Sequence, residues 1–305
     1  VGSEMCIRDS DEISYGYFTK GTSSFDLSEG IILSTGKAKD AEGPNSSLQD
    51  FWGSNWGGDQ DLIDILIQSN LPHDKILNAT SLEFDFVSNL TTDQISFEYM
   101  FLSEEYRIDN CDYSDAFAFL IKKADNSEPY QNIALVPNTT IPITSLTING
   151  ARDCPRNVSY FGGFNPTNSP TNFNGQTKVL KANAQIEADT KYHIKLVIAD
   201  HGDSRGRYDS AVFLKAGSFI GSKSLGSDVV LCPGTSETID ATTTNATTYK
   251  WYKDGVEISG ETNATLVVDE TGYYEVEITL NTGCSLKGHI NVSVPVSYTH
   301  LRAHE

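Results

Sequence analysis

FEYMFLSEEYRIDNCDYSDAFAFLI, residues 97–121, is the stretch that decides the fold class of this chain of 305 residues. Apolar side chains recur at every second position from Phe97 to Phe101, which is the period of a β-strand. The second apolar run, from Ala116 to Ile121, is apolar at both alternating sets of positions. It is therefore predicted to be a strand buried on both faces and central in its sheet. A loop rich in carboxylates separates the two strands.

The same order of features returns in YHIKLVIADHGDSRGRYDSAVFL, residues 192–214, where two apolar runs flank an acidic loop with Gly and Ser. Strand periodicity also marks Leu82 to Phe86. The plausible helix is DQDLIDILIQS, residues 59–69, where apolar positions are spaced three and four apart and acids occupy the first turn. The fold predicted for residues 11–222 is therefore an all-β sandwich of the jelly-roll or lectin-like kind.

A second, smaller domain is predicted for residues 223–295. A Gly/Ser-rich stretch, GSKSLGSDVV at 221–230, marks the boundary. YKWYKDGVEI, residues 249–258, reads as a strand with Trp251 pointing inward and a Lys-Asp-Gly turn after it. The later segment YYEVEITL alternates apolar and polar residues. This pattern resembles an immunoglobulin-like β-sandwich of the kind found in bacterial surface proteins.

Both ends of the chain are expected to lie outside the fold. VGSEMCIRDS, residues 1–10, and VSYTHLRAHE, residues 296–305, resemble peptides that arise when sequencing-adapter remnants are translated at the edges of reading frames. On this interpretation the natural protein is longer at both ends. Its signal peptide and its C-terminal anchor are then expected to be missing from this sequence.

Composition argues against two classes of partner. The net charge of −19 at pH 7 and the pI of about 4.6 make the molecule repel nucleic-acid phosphates and anionic lipid. No apolar run approaches the roughly 18 to 20 residues that span a bilayer. We therefore expect neither nucleic-acid binding nor a transmembrane segment, and cations are the favoured counterparts.

The cysteines predict two disulfides. One of the five, Cys6, lies in the excluded terminus, and the other four are expected to pair as Cys111–Cys154 and Cys232–Cys284, one bridge in each domain. Each closed loop would contribute about 4 kcal/mol in the chain-entropy model. Such bridges imply an oxidising compartment. The alternative is four reduced, buried thiols in a cytosolic protein, and no Cys/His spacing indicates zinc.

The two acidic loops predict a calcium site. Ca²⁺ takes six to eight hard oxygen ligands, and a cation would relieve the repulsion between neighbouring carboxylates. The predicted ligands are Glu104, Glu105, Asp109, Asp112 and Asp115 in the first loop and Asp203 and Asp209 in the second, beside Asp200. The alternative is a solvated acidic rim. A third group of acids, Asp59, Asp61 and Asp64, is better explained as the N-terminal charge cluster of the helix.

A series of short stretches resembles the choice-of-anchor L family over about residues 15–220. In chain order they are SEGIILSTGKA, GPN, GGDQDL, FEYMFLSEEY, SDAFAFLI, NIALVPNTTIPI, NGQTKVLKA, YHIKLVIAD and YDSAVFLKAGSF. The resemblance implies an exported bacterial surface protein, often from Bacteroidota and often with a type IX secretion tail. It supplies no established ligand or catalytic residues. The loop HGDSRGRYDS is slightly longer than usual for the family.

The expected function is adhesion, that is, binding of a surface glycan or protein by an extracellular or cell-surface module, and not catalysis. In a lectin-like version Ca²⁺ orders the loops, and Asp115 accepts hydrogen bonds from sugar hydroxyls. An exposed ring then stacks on the sugar, with Tyr106, Trp52 and Trp56 as candidates, although each of them is better explained as an ordinary core residue.

Two other classes of function stay open. A surface glycoside hydrolase would use two of the loop carboxylates as acid and nucleophile or base, whereas a structural stalk would use none. Residues 202–206 also match the G-x-S-x-G nucleophile elbow beside His201. That elbow requires a strand, a turn and a helix, and the sequence after it reads as a strand.

Overall fold

The computed structural model describes residues 5–8, 14–50, 56–88, 92–107, 114–201, 208–281, 283 and 285–295, with only the backbone described at 5–8 and 220. Nearly all of its elements are strands. They are β1 (Met5–Arg8), β2 (Tyr15–Thr19), β3 (Glu29–Ser34), β4 (Ile76–Val87), β5 (Gln94–Ser103), β6 (Ala116–Lys123), β7 (Gln131–Asn132), β8 (Ile143–Thr144), β9 (Phe161–Phe164), β10 (Gly175–Thr177), β11 (Leu180–Gln185), β12 (Lys191–His201), β13 (Ser210–Lys215), β14 (Ile220–Ser222), β15 (Val229–Val230), β16 (Glu237–Asp240), β17 (Ala246–Lys253), β18 (Val256–Glu257), β19 (Thr265–Val268), β20 (Gly272–Leu280) and β21 (Ser285–Ser293). The helices of the described residues are α1 (Gln60–Gln68) and two short 3-10 helices, η1 (Ala38–Ala41) and η2 (Val158–Tyr160).

The chain divides into two compact units. The first comprises Val1–Val87, Ser96–Ala184 and Lys191–Ile220. The second comprises Ser88–Ile95, Gln185–Thr190 and Gly221–Glu305. Its two short early segments are joined by a hydrogen bond from the Ile186 amide to the Asp93 carbonyl (2.9 Å).

The first sheet of the first unit has the strand order β1-β4-β12-β6-β7, with β8 also paired to β6. Strand β6 lies between β12 and the short β7, and its residues from Ala116 to Ile121 are all buried. The prediction of a central strand buried on both faces is therefore confirmed. The inward face of β12 carries Ile194, Leu196 and Ile198, each at most 1% exposed, as the alternation predicts.

The second sheet has the order β2-β3-β13-β5-β10-β9. Its inner face packs on the first sheet through aromatic side chains. The ring of Phe97 lies 4.2 Å from that of Phe119, and the ring of Tyr99 lies 5.3 Å from that of Phe117, measured between centroids. The first unit is therefore an all-β sandwich, as the alternating sequence predicts.

Both acidic loops cross from one sheet to the other at the same end of this sandwich. The first leads from β5 in the second sheet to β6 in the first, and the other leads from β12 back to β13. Ser103 is registered with Ser210, and Ala116 is registered with Ala199, so the four strand ends lie together. We call this end the loop pole and define it as the described residues 104–107, 114–115, 200–201 and 208–209.

Helix α1 lies on the outer face of the first sheet. Asp59 caps it by accepting a hydrogen bond from the Leu62 amide (3.1 Å), and Leu62 and Leu66 are each 1% exposed. They belong to an apolar cluster that includes Val197 of β12. The predicted helix is confirmed, and its cap follows the usual preference for Asp at this position.

The second unit contains a five-stranded sheet, β15-β21-β20-β17-β18, and the two-stranded sheet β16-β19. Trp251 is completely buried in its core, as predicted, and the indole nitrogen donates to the Asn263 carbonyl (2.9 Å). Tyr274, Val276 and Ile278 face the same core, which confirms the predicted alternation of β20.

The N-terminal expectation needs correction. Residues 5–8, which fall inside the stretch predicted to lie outside the fold, form β1 and pair antiparallel with Ser81–Phe84 of β4. Four backbone partners in register are enough to extend a sheet. Residues 296–305 lie outside the described residues. No helix in the described part of the chain is long and apolar enough to cross a membrane.

Candidate functional site: carboxylates at the loop pole

The loop pole brings together acids from both loops. Of the seven predicted calcium ligands, four are described, and all four lie at the pole, where Asp200 joins them. They are Glu104, Glu105, Asp115 and Asp209, which with Asp200 are each at most 4% exposed. Asp109, Asp112 and Asp203 lie outside the described residues. A solvated rim is therefore excluded for the five acids that the structure describes.

Strand alternation sorts these acids into two groups. Asp115 precedes Phe117 by two residues and Asp200 follows Ile198 by two, so both continue the inward faces of β6 and β12. Glu105 likewise follows the inward-facing Phe101 of β5 at the same period. We call Glu105, Asp115 and Asp200 the inner trio, and Glu104 and Asp209 the outer pair.

The outer pair is held by the backbone around Gln49. The Gln49 amide donates to Oε1 of Glu104 (3.0 Å), and the Asp209 amide donates to the Gln49 carbonyl (3.0 Å). The Glu104 amide donates to the Asp209 carbonyl (3.1 Å). Burial raises the pKa of Glu104 to about 7, and the nearby charge of Asp209 adds to the rise, while Arg107 and the Gln49 amide act against it.

Glu105 and Asp115 are linked across the two sheets. The Asp115 amide donates to Oε2 of Glu105 (2.8 Å), and the same oxygen accepts from the Ser145 hydroxyl (2.6 Å). Asp115 accepts from the His201 amide (3.0 Å) and from the Ser210 hydroxyl (2.6 Å). Burial raises the pKa of Asp115 well above its usual range, and the charges of Glu105 and Asp200 reinforce the shift.

Asp200 is the least satisfied member of the inner trio. Its Oδ2 accepts from the side-chain amide of Asn78 (2.8 Å). Its Oδ1 is inaccessible to solvent and has no partner with hydrogen-bonding geometry among the described residues; the nearby Thr35 hydroxyl, which is engaged with Ser210, only partly offsets the rise in the pKa of Asp200. Burial and the charge of Asp209 raise the pKa of Asp200 well above its usual range. A carboxylate oxygen left unpaired in this way costs free energy.

The charge of the pole must be balanced. Five ionised carboxylates cannot be kept in a nearly dry site by the uncharged amides and hydroxyls described above, and the exposed Arg107 can offset only one of the five charges. Either protons or a cation must therefore neutralise part of the cluster. Among the described residues, no group of three or more His, Cys, Asp and Glu side chains is placed to hold a metal ion. Calcium binding stays a prediction.

The lectin-like version needs correction at Asp115, whereas Tyr106 is core, as its type favours. Asp115 is completely buried, and both of its oxygens are engaged by His201 and Ser210, so it cannot contact a sugar. Tyr106 is 1% exposed, with its ring 5.1 Å from that of Phe161, so it is core and not a stacking platform. Trp56 donates through its indole nitrogen to the Ala79 carbonyl. Trp52 lies outside the described residues.

The nucleophile-elbow match is excluded by its context. Residues 202–206 themselves lie outside the described residues. The element before them is the strand β12, and the element after them is the strand β13. A strand on both sides is incompatible with the strand-turn-helix arrangement that the elbow requires.

One predicted disulfide is wrong. Cys232 is an exposed free thiol. The amide of its neighbour Leu231 donates a hydrogen bond to the Ser293 carbonyl, at the C-terminal end of β21. Cys284 directly precedes Ser285, the first residue of the same strand. Eight residues of strand span about 26 Å, and a disulfide needs Cα atoms within about 7 Å. Cys154 is not among the free cysteines. Its expected partner, Cys111, lies outside the described residues, so that pairing stays a prediction.

Sequence reasoning missed the residues that support the acids. Gln49, Asn78, Ser145 and Ser210 each donate to a carboxylate of the pole. The one available signal was Asn78, a polar residue inside the strand pattern ILNATS; it is buried and adopts a positive φ of 52°. The others come from segments far apart in sequence, so no local pattern could assign them to this site.

Comparison with solved structures finds only remote likenesses. A carbohydrate-binding module specific for non-crystalline cellulose, CBM28, has a TM-score of 0.31 and 12% identity over 68% of this chain and 89% of that one. The K2 cleaved adhesin domain of Lys-gingipain has a TM-score of 0.27 and 10% identity, covering 70% of this chain and 86% of that one. The adhesin domain of Epf from Streptococcus pyogenes has a TM-score of 0.24 and 8% identity, covering 97% of this chain and 93% of that one. At such TM-scores the likeness carries no argument about this chain.

The family comparison is more direct. No curated protein sequence matches this chain significantly. The family model described as "Choice-of-anchor L domain" matches residues 3–220. The match spans more than half of the chain and includes both strand pairs and both loops that build the pole. The first unit carries the features by which the sequence resembled this family, and the chain belongs to the choice-of-anchor L domain family.

Proposed function

We propose that this protein is a surface binding module whose loop pole binds a divalent cation, Ca²⁺ in the first place. The observation that supports this proposal is the convergence of five buried carboxylates in which Oδ1 of Asp200 has no hydrogen-bond partner among the described residues. Membership of a family named for surface anchoring supports an exported, cell-surface location. Its ligand would be a glycan or a protein on another surface.

The chemistry of the donors favours calcium over transition metals. The pole offers carboxylate oxygens, and hard oxygen ligands suit Ca²⁺ and Mg²⁺, whereas zinc and copper prefer nitrogen and sulfur. Ca²⁺ also tolerates irregular geometry and high coordination numbers, while Mg²⁺ demands a near-ideal octahedron. Asp109, Asp112 and Asp203 are the further ligands predicted from sequence. Bound Ca²⁺ would neutralise two charges of the cluster and favour the ionised forms of Asp115 and Asp200.

The test is a thermal melt of the full chain in excess EGTA, then in millimolar Ca²⁺, then in millimolar Mg²⁺. A ligand at one hundred times its dissociation constant adds about 2.7 kcal/mol, which raises Tm by about 5–10 °C in a unit of this size. We expect that shift with Ca²⁺ and a smaller one with Mg²⁺. Equal melting temperatures in EGTA and Ca²⁺ would remove the cation from the proposal.

Asp200→Asn sharpens the test because it keeps the shape of the side chain and an acceptor for Asn78. Without metal this variant should melt above the wild type, since folding no longer has to bury a charge or take up a proton at this position. The rise in Tm that Ca²⁺ produces in this variant should be less than half of the rise in the wild type. The matched control is Asp26→Asn, which removes the same charge from an exposed position of the same unit. The control should have the same Tm without metal and the same Ca²⁺-induced rise in Tm as the wild type. A Ca²⁺-induced rise in Asp200→Asn as large as in the wild type would contradict the proposed site.

No observation favours the hydrolase or the stalk over binding. A hydrolase needs an acid and a second carboxylate that both reach substrate. Glu104, whose pKa near 7 would suit a general acid, is only 1% exposed and already engages the Gln49 amide. A stalk would be indifferent to the loop acids, so a Ca²⁺-dependent Tm that Asp200→Asn reduces also separates the binding module from the stalk.

A further inference from the structure

A polar cavity opens beside the outer pair of the loop pole. Its volume is about 760 Å³, within the range of small-ligand sites. The walls come from η1 with the segment after it, and from Asn172 and Asp209. Lys39, Ser47 and Asp50 are also among the lining residues. The lining thus mixes acceptors with donors, which suits a ligand that carries many hydroxyl groups.

The wall of the cavity is held in place by Asn172. Its side-chain oxygen accepts from the amides of Ser46 (3.1 Å) and Ser47 (3.3 Å). Its side-chain nitrogen donates to the Ser47 hydroxyl (3.0 Å) and to the Asp40 carbonyl (3.3 Å). Asn172 is only 6% exposed. Because four hydrogen bonds fix this wall, the cavity is a built feature and not a gap between loose loops.

Two features point to a ligand in this cavity. Oδ1 of Asp50 is inaccessible to solvent and has no hydrogen-bond partner among the described residues. Asp50 lines the cavity, so a ligand hydroxyl that reaches its carboxylate would supply the missing hydrogen bond. Lys39 is exposed and forms no ion pair within the described part of the chain, so it can donate to a ligand oxygen.

The negative charge of the cavity lining and of the whole molecule limits which ligands the cavity can bind. Asp40, Glu42, Asp50 and Asp209 outnumber Lys37 and Lys39 among the lining residues, and the molecule carries −19 overall. Anionic ligands are therefore repelled. Asp209 lines the cavity and also belongs to the carboxylate cluster, and Gln49 connects the two sites through its backbone. A cation that fixes the cluster would therefore also fix one wall of the cavity.

We propose that this cavity binds a neutral carbohydrate, with ligand hydroxyls donating to Asp50 and Asp209 and accepting from Lys39. This proposal rests on the proposed binding function and names its ligand class. Binding should weaken when Ca²⁺ is removed, because Asp209 is then no longer held by the cluster.

The experiment screens the full chain against immobilised neutral oligosaccharides derived from glucans, xylans, mannans and galactans, in millimolar Ca²⁺ and again in EGTA. For any oligosaccharide retained, the dissociation constant is measured by calorimetry for the wild type and for Asp50→Asn. The matched control is again Asp26→Asn. We expect Asp50→Asn to weaken binding at least tenfold and to keep the full Ca²⁺-induced rise in Tm, and we expect the control to bind like the wild type.

A second variant keeps the proposal testable if Asp50→Asn fails to fold. Leu48 lines the cavity and is 53% exposed, so Leu48→Arg can fold normally while its longer side chain obstructs the cavity. It should also lose binding at least tenfold. Retention of no neutral oligosaccharide by a wild type that still responds to Ca²⁺ would overturn the carbohydrate proposal and leave the cation site standing. Equal affinity in the wild type and both variants would place the ligand elsewhere and overturn it as well.

Discussion

Without metal, the stability of the first unit is expected to fall as the pH rises from 5 to 7.5. The pKa of Glu104 rises from 4.5 to about 7 on folding. Between these two values the unfolded chain has released the proton while the folded protein still holds it. The folded state therefore binds more protons, and its stability decreases with increasing pH.

The size of this effect follows from the same values. One pKa unit corresponds to about 1.4 kcal/mol, so ionising Glu104 alone costs the folded protein about 2 kcal/mol between pH 5 and pH 7.5. Asp115 and Asp200 have pKa values raised in the same direction by burial, so they add to the loss. Acids whose pKa is lowered in the folded state, such as Asp85, are already ionised at both ends of this pH range and do not offset it.

The assay is urea denaturation in EGTA at several pH values between 5 and 7.5, followed by the same series in Ca²⁺. In EGTA the free energy of unfolding should fall by at least about 2 kcal/mol. Glu104→Gln should remove about that part of the slope, because the amide keeps an acceptor for Gln49 but does not titrate. In Ca²⁺ the fall should disappear, since the ion favours the ionised carboxylates. A flat or rising stability in EGTA would refute the reasoning about the pole.

The remaining predictions concern single side chains. Lys195→Met should lower the free energy of unfolding in urea by about 2 kcal/mol, below the 3–5 kcal/mol of a fully buried pair, because one of its two carboxylate partners is 40% exposed. Cys232→Ser should change stability by less than about 0.5 kcal/mol and lower the number of thiols that react with a thiol reagent in the folded protein by one. A Cβ at Gly36 would lie 2.0 Å from a carboxylate oxygen of Asp209, whereas one at Gly16 would have its nearest neighbour at 3.8 Å, an ordinary van der Waals contact. Gly36→Ala should therefore reduce the Ca²⁺-induced rise in Tm at least by half, and Gly16→Ala should preserve it.

The strands and the helix could be predicted because their signals are local. Alternation placed Ile194 and Tyr274 inward, and the spacing of apolar residues together with Asp59 gave α1. The repeated order of apolar run, acidic loop and apolar run also suggested that two loops form one site. Both loops cross between the sheets, and this topology brings the loop ends to the same pole.

The burial of the acids could not be predicted from sequence as the strands and the helix could, and neither could the pairing of the cysteines. Alternation would have placed Asp115 and Asp200 inward, but their charge favours a solvent-exposed rim. Only the donors that the folded pole supplies, Ser210 to Asp115 and Asn78 to Asp200, decide between the two. The Cys232–Cys284 bridge was predicted only from the number of cysteines in each domain. That number cannot show that β15, just before Cys232, pairs with the C-terminal end of β21, whereas Cys284 precedes the first residue of that strand.

The position of the carboxylates would let a cation reinforce the few hydrogen bonds that already join the two sheets at the loop pole. Backbone hydrogen bonds join strands within a sheet, whereas the two sheets of the first unit meet mainly through side-chain packing. Glu105 follows a strand of the second sheet, and Asp115 precedes a strand of the first, so a cation shared between them would tie the sheets together directly. Without it, the same carboxylates repel one another at the point where the sheets must stay closed. Removal of Ca²⁺ should therefore loosen the loop pole first, and amide exchange in EGTA should rise at Glu105 and Asp115 before it rises in the strands beyond them.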